Sequence, residues 1–192
     1  MIQRGRMSIQ GLMSVQGALS RRGSASVRGF GLAALILAGV ATAQPLAAQE
    51  IGLPLGTKPQ AVVIEDLAGA PVDLVEIIGK KPALVEFWAT WCSVCAALQP
   101  RLEAAAAKYG EEVEFLVVAV AVNQTKRSIE RHLASKPIPG RVLWDTDGRA
   151  TRAFLAPTTS YVVVLDGAGR VVYTGAGDDQ DLEAAVARAL ER

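Results

Sequence analysis

The chain has 192 residues, 51% of them hydrophobic, with 20 basic and 19 acidic residues and a formal net charge of +1. That composition suits one globular domain with a short extra segment. Residues 1–43 hold five of the basic residues (Arg4, Arg6, Arg21, Arg22 and Arg28) and no acid, so the remaining 149 residues carry 15 basic against 19 acidic groups, net −4. A body of that charge gives no electrostatic footing for nucleic acid, which is excluded as a partner.

Behind the basic head, an apolar run from Phe30 to Val40 is followed by Ala41-Thr42-Ala43 and then Gln44. A positive leader, a short apolar stretch and small residues at −3 and −1 predict a secretory signal peptide over residues 1–43. Export to the periplasm or another extracytoplasmic space follows from it. An uncleaved anchor is opposed by length, because Phe30 to Ala43 is 14 residues and a spanning helix needs roughly 20. No cysteine lies near the cleavage site, which argues against a lipoprotein. Met7 or Met13 could serve as the true start.

Residues 44–59, around Pro45 to Pro59, read as a flexible linker, and residues 60–192 as the folded domain. Ala61 to Glu65 and Pro71 to Asp73 predict a small hairpin around Ala68-Gly69-Ala70. Pro82 to Ala89, apolar and ending in aromatics, predicts a buried central strand. Residues 93–109 form a helix with Leu98, Leu102, Ala105 and Tyr109 on one face, and Pro100 inside it should kink it. Val113 to Val122 is a second buried strand and Lys126 to Ser135 a second helix. A loop marked by Pro137, Pro139 and Gly140 leads to Val142-Leu143-Trp144, then to a short helix near Ala150–Phe154. Tyr161 to Leu165 and Arg170 to Thr174 flank Asp166-Gly167-Ala168-Gly169 as an antiparallel hairpin. Asp178 or Asp179 is placed to cap a last helix with Leu182, Val186 and Leu190 inward. These elements predict an α/β fold, a mixed sheet covered by helices.

The chemistry must come from cysteine, since the only two, Cys92 and Cys95, form one C-x-x-C. As a structural disulfide it would close almost no loop and stabilise little. A zinc site needs about four ligands; the single histidine, His132, lies far along a helix beside Arg131 and reads as a solvated side chain. Just after a strand, Cys92 instead falls at a helix N-terminus, where free amides and the dipole favour a thiolate. Cys95, one turn in, is the more buried thiol. An attacking thiolate beside a resolving thiol is the arrangement of disulfide exchange.

The run Val85-Glu86-Phe87-Trp88-Ala89-Thr90-Trp91-Cys92-Ser93-Val94-Cys95 resembles the active-site segment of the thioredoxin superfamily, and in particular of exported TlpA-like thiol–disulfide oxidoreductases. Pro100, Gly79-Lys80-Lys81, the Leu67-Ala68-Gly69 hairpin, Val142-Leu143-Trp144-Asp145 and Leu165-Asp166-Gly167-Ala168-Gly169 extend the likeness over roughly residues 54–190. The resemblance implies a thioredoxin-like fold, a central mixed sheet flanked by helices with an extra N-terminal β-hairpin. It further implies an enzyme of the protein-disulfide reductase type that needs no cofactor or metal. Its clients would be proteins with disulfides or thiols, such as apocytochrome c before haem attachment, and a membrane thiol donor would supply its electrons. A monomer is expected.

Glu86 lies six residues before Cys92 in an otherwise apolar strand, so it is expected to be buried. The resemblance divides here: thioredoxins have a buried acid at this offset, and TlpA-like proteins more often an amide. A carboxylate desolvated beneath Cys95 would have a raised pKa and could exchange that thiol's proton. Three departures from the family stand out. Ser93-Val94 contains neither glycine nor proline, and Leu98 stands where some relatives carry an acid. The third concerns the family's cis-proline opposite the C-x-x-C, beside which the client backbone pairs. Pro157 matches it by residue identity, whereas spacing to Asp166 puts Ser160 there; Ser160 is favoured slightly. Trp88 and Trp91 read mainly as packing around the active-site turn. Trp91, Pro157, Thr159 and Ser160 are the candidates to line the client groove.

Two other functions remain open on the same fold. A thiol peroxidase would want a threonine and an arginine near its cysteine; Thr90 is available but no arginine is close in sequence. A copper or haem chaperone could use two soft thiolates but lacks a good histidine ligand.

Overall fold

The computed structural model describes residues 51–191, so the expected signal peptide and residues 44–50 of the linker lie outside the described residues. Two short strands come first, β1 (Val63–Asp66) and β2 (Pro71–Asp73), paired antiparallel with Ile64 opposite Val72. Asp73 ends β2 and also caps α1 (Leu74–Ile78), its carboxylate accepting from Val75 N–H at 2.9 Å and Glu76 N–H at 3.2 Å. This short helix escapes the sequence pattern because five residues are too few for a helical period to register.

The centre of the molecule is parallel. Strand β3 (Ala83–Trp88) leads into α2 (Ser93–Tyr109), then β4 (Glu114–Val120), α3 (Lys126–Ser135) and β5 (Arg141–Asp145). β3 pairs with β4 and β4 with β5, both parallel. After α4 (Arg149–Ala153), β6 (Tyr161–Leu165) and β7 (Val171–Gly175) add antiparallel beside β3, and α5 (Leu182–Leu190) closes the fold. The seven strands lie in the order β2-β1-β5-β4-β3-β6-β7, a mixed sheet of thioredoxin-like topology.

All six residues of β3 are buried, as expected of a strand covered on both faces. Alternation divides them between two cores. Leu84 and Trp88 join Cys92, Cys95, Leu98 and Leu102 of α2, Ile129 of α3 and Val186 of α5. Val85 and Phe87 face the other way, onto Leu74 and Ile78 of α1, Phe154 beyond α4, and Tyr161. α2 runs through Pro100 without a break.

Two expectations change. The described part of the linker, residues 51–59, is packed against the domain. Leu53 and Pro59 are buried, Leu53 N–H donates to Tyr161 Oη at 2.9 Å, and Gly56 and Thr57 exchange backbone bonds with Val171. Gly52 makes this possible: its φ is +77°, and a Cβ there would sit 2.0 Å from Tyr161 Oη. The second change is at α5, capped by Asp181, which accepts from Ala184 N–H at 3.0 Å, and not by Asp178 or Asp179. The helix cannot begin earlier because Gln180 is drawn into the interior, where its Nε2 donates to the carbonyls of Ser160 and Gly177.

Candidate active site

β3 ends at Trp88, and the chain turns once before α2. The turn is closed by Cys92 N–H donating to the Ala89 carbonyl at 3.1 Å. Cys92 is the N-cap of α2, with extended φ and ψ of −79° and 101°, and its Sγ accepts from Cys95 N–H at 3.0 Å. A sulfur in this position takes one of the amides a helix start leaves unsatisfied, and its thiolate is favoured by the same amides. Cys92 and Cys95 are joined in a disulfide, their Cα atoms 5.3 Å apart. Cys92 retains 7% exposure and Cys95 1%, so Cys92 is the less buried of the two.

Glu86 is 2% exposed. Two residues from Leu84 and two from Trp88, it shares the face of β3 that carries the cysteine-containing core. Its Oε1 has no hydrogen-bond partner among the described residues. Burial pushes its pKa up to about 8, which keeps the carboxyl mostly protonated at neutral pH. A protonated acid in an apolar wall is a proton store.

The tryptophans divide. Trp88 is buried and meets the His132 ring edge-on, centroids 5.2 Å apart. His132 is thus not the solvated side chain expected from its polar helix; burial first, and Lys136 second, lower its pKa and favour the neutral ring. Trp91 is 49% exposed and its Nε1–H donates to the Val122 carbonyl at 2.7 Å. It forms one wall of a groove of about 440 Å³, with Val120, Val122, Ala156, Pro157 and Thr159 among the other walls.

Ser160, immediately before β6, is 3% exposed and adopts φ +63°, a region costly for a residue with a Cβ. Every polar group of it is engaged. Its N–H donates to the Phe87 carbonyl at 2.7 Å, its Oγ accepts from Gly177 N–H at 3.2 Å and its carbonyl accepts from Gln180 Nε2–H at 3.0 Å. The bond to Phe87 sets Ser160 at the end of β3 from which the cysteine turn departs. Pro157 is exposed in the groove wall and Thr159 half-buried.

Sequence reasoning missed two residues here. Gln180 holds Ser160, and Gln124 accepts from Thr90 N–H at 2.9 Å. Both are polar residues in loops, and only their tertiary partners distinguish them from solvated ones. Asp145 of the Trp144-Asp145 pair proves structural: buried, it accepts from Ala150 N–H, Thr151 N–H and Thr151 Oγ1–H and so holds the start of α4.

A thioredoxin-like fold with a disulfide at the N-terminus of its central helix defines a thiol–disulfide oxidoreductase acting on thiol-bearing clients. The Redoxin family description matches residues 54–190, and the chain belongs to that family. It is similar to the thioredoxin-like protein YneN of Bacillus subtilis, 22% identical over 142 residues that cover 73% of this chain and 83% of the relative. Among solved structures it is similar to a secreted Mycobacterium tuberculosis disulfide oxidoreductase homologous to E. coli DsbE. That match has a TM-score of 0.57 and 27% identity, covering 66% of this chain and 94% of that one. A thiol:disulfide interchange protein DsbE from Chlorobium tepidum, at 21% identity, shares the fold with a TM-score of 0.62, covering 72% of this chain and 96% of that one.

Proposed function

We propose that the protein is an extracytoplasmic reductase of protein disulfides. In the reduced enzyme the Cys92 thiolate attacks one sulfur of a client disulfide. A Cys92–client disulfide forms and the first client sulfur leaves as a thiolate. Glu86, left ionised when it gave its proton to Cys95 on formation of the dithiol, takes that proton back as Cys95 attacks the Cys92 sulfur and expels the second client thiolate. Two electrons pass to the client, and the Cys92–Cys95 disulfide remains. A membrane thiol donor then restores the dithiol, and Glu86 returns its proton as Cys95 leaves. Trp91, Pro157 and Thr159 line the groove where the client chain lies, with Ser160 closing its end in the place proline holds in the family. The protein works as a monomer after its leader is removed.

The observation that carries this reading is the asymmetry of the pair. One cysteine caps the helix N-terminus and keeps some exposure; the other is sealed in the core on the face that carries an unpartnered carboxyl. The basic leader, and the secreted relative from M. tuberculosis, support the location. The test is a trap. A Cys95→Ser protein exported in cells should accumulate mixed disulfides through Cys92, visible as adducts that collapse on reduction. Adducts on Cys95 in a Cys92→Ser protein, with none in Cys95→Ser, would reverse the roles. Reductant and oxidant are separated by the redox potential of the couple, strongly negative for a reductase.

A further inference from the structure

The turn that presents Cys92 is held by the loop that follows β4. Its two central residues, Thr90 and Trp91, both bond to that loop: Thr90 N–H to Gln124 Oε1 at 2.9 Å, and Trp91 Nε1–H to the Val122 carbonyl at 2.7 Å. Gln124 also donates its Nε2–H to the carbonyl of Val120 at 2.5 Å, the last residue of β4. Its side chain is therefore a strut between a central strand and the backbone two residues before the nucleophile. Among the described residues no other group accepts from Thr90 N–H. Between the two attachment points Asn123 is held at φ +52°, a left-handed conformation that asparagine tolerates better than most residues.

In the oxidised protein the turn has a second restraint, the covalent Cys92–Cys95 bond. Reduction removes it at the moment when the thiolate must stay on the helix N-terminus, and the favourable field there fades within one helical turn. Attack on a disulfide also needs a placed sulfur, and small displacements of a reacting atom are costly in rate. We infer that Gln124 is a positioning residue for the exchange reaction: through the Thr90 amide it keeps the reduced Cys92 sulfur at the start of α2. It touches neither sulfur. Its effect belongs to the reduced state.

The inference rests on Cys92 being the attacking thiol, and that is tested separately by mapping the first cysteine alkylated in the parent protein. Mapping to Cys95 overturns the assignment and the inference with it. With Cys92 mapped, two variants decide the role of Gln124. Gln124→Met keeps the bulk and loses both bonds. Gln124→Glu keeps the acceptor for Thr90 N–H. The readouts are the rate at which the reduced protein attacks 5,5′-dithiobis(2-nitrobenzoate), the pH profile of Cys92 alkylation, and the melting of the oxidised form. Gln124→Met should attack about three- to tenfold more slowly at pH 7, the worth of one or two net hydrogen bonds. Its alkylation profile should move to higher pH and its redox potential become more negative, since the thiolate has lost support. Gln124→Glu, compared at high salt to screen its charge, should stay within about twofold of the parent. A parental rate and profile in Gln124→Met overturns the inference, as does Gln124→Glu reacting as slowly as Gln124→Met. So does a loss of melting temperature in Gln124→Met with the alkylation profile unmoved, which would make the residue merely structural.

Discussion

Replacing Glu86 by glutamine preserves size while removing a titration, and the consequence can be worked from its burial. The folded carboxyl has its pKa near 8, raised from 4.5 by desolvation. The native state therefore holds a proton that the unfolded chain gives up between those values. Stability is fully present below pH 4.5 and falls as pH rises toward 8, by about 1.4 kcal/mol per pH unit for one fully linked proton. From pH 5 to pH 7 the oxidised parent should lose about 2–3 kcal/mol through this group alone. The Glu86→Gln protein lacks that slope. Its amide brings unsatisfied N–H donors, at a cost of about 1–3 kcal/mol that does not vary with pH. The variant should accordingly be close to or below the parent in stability at pH 5 and gain on it steadily to pH 8. Urea unfolding of both oxidised proteins at pH 5, 6, 7 and 8 measures the difference. Parallel stability curves would refute the buried, protonated carboxyl. The kinetic counterpart is a slower resolving step in Glu86→Gln with Cys92 alkylation unchanged, read from release of client after rapid mixing. Equal resolving rates across pH 6–9 would leave Glu86 a structural residue.

Cys92→Ser should abolish exchange with a disulfide substrate, whereas Cys95→Ser should retain the first attack and release only one thiolate per enzyme; turnover by Cys92→Ser would contradict the assignment. N-terminal sequencing of exported protein should find Gln44 or a close neighbour first, and an intact Met1, Met7 or Met13 would favour an anchor instead. Gly52→Ala should destabilise the oxidised protein by about 1–3 kcal/mol in thermal melting, because the new methyl meets Tyr161 Oη in a backbone region that alanine disfavours. An unchanged melting temperature would mean that residues 51–59 contribute nothing to the fold.

By itself the sequence determined the strands of the sheet, every helix but α1, and the redox pair. β3, β4 and β6 are near-continuous apolar runs bounded by turn residues, the mark of strands buried on both faces, and α2 brings its apolar residues to one helical face. Cys92 and Cys95 were legible because they are the only two cysteines and follow a strand directly. Burial of Glu86 could also be read locally, since its neighbours on both sides are apolar. Tertiary structure alone decided what the polar loop residues do. Gln124 and Gln180 sit in segments with no period, and their partners, Thr90 and Ser160, lie 34 and 20 residues away in sequence. The same holds for residues 51–59, whose prolines and glycines suggest a loose chain until β7 and Tyr161 supply bonding partners. His132 looks solvated on its own helix, and only the tertiary fold sets its ring against Trp88. A local pattern records which face of an element is apolar; it carries no record of which distant backbone amide a single polar side chain will reach.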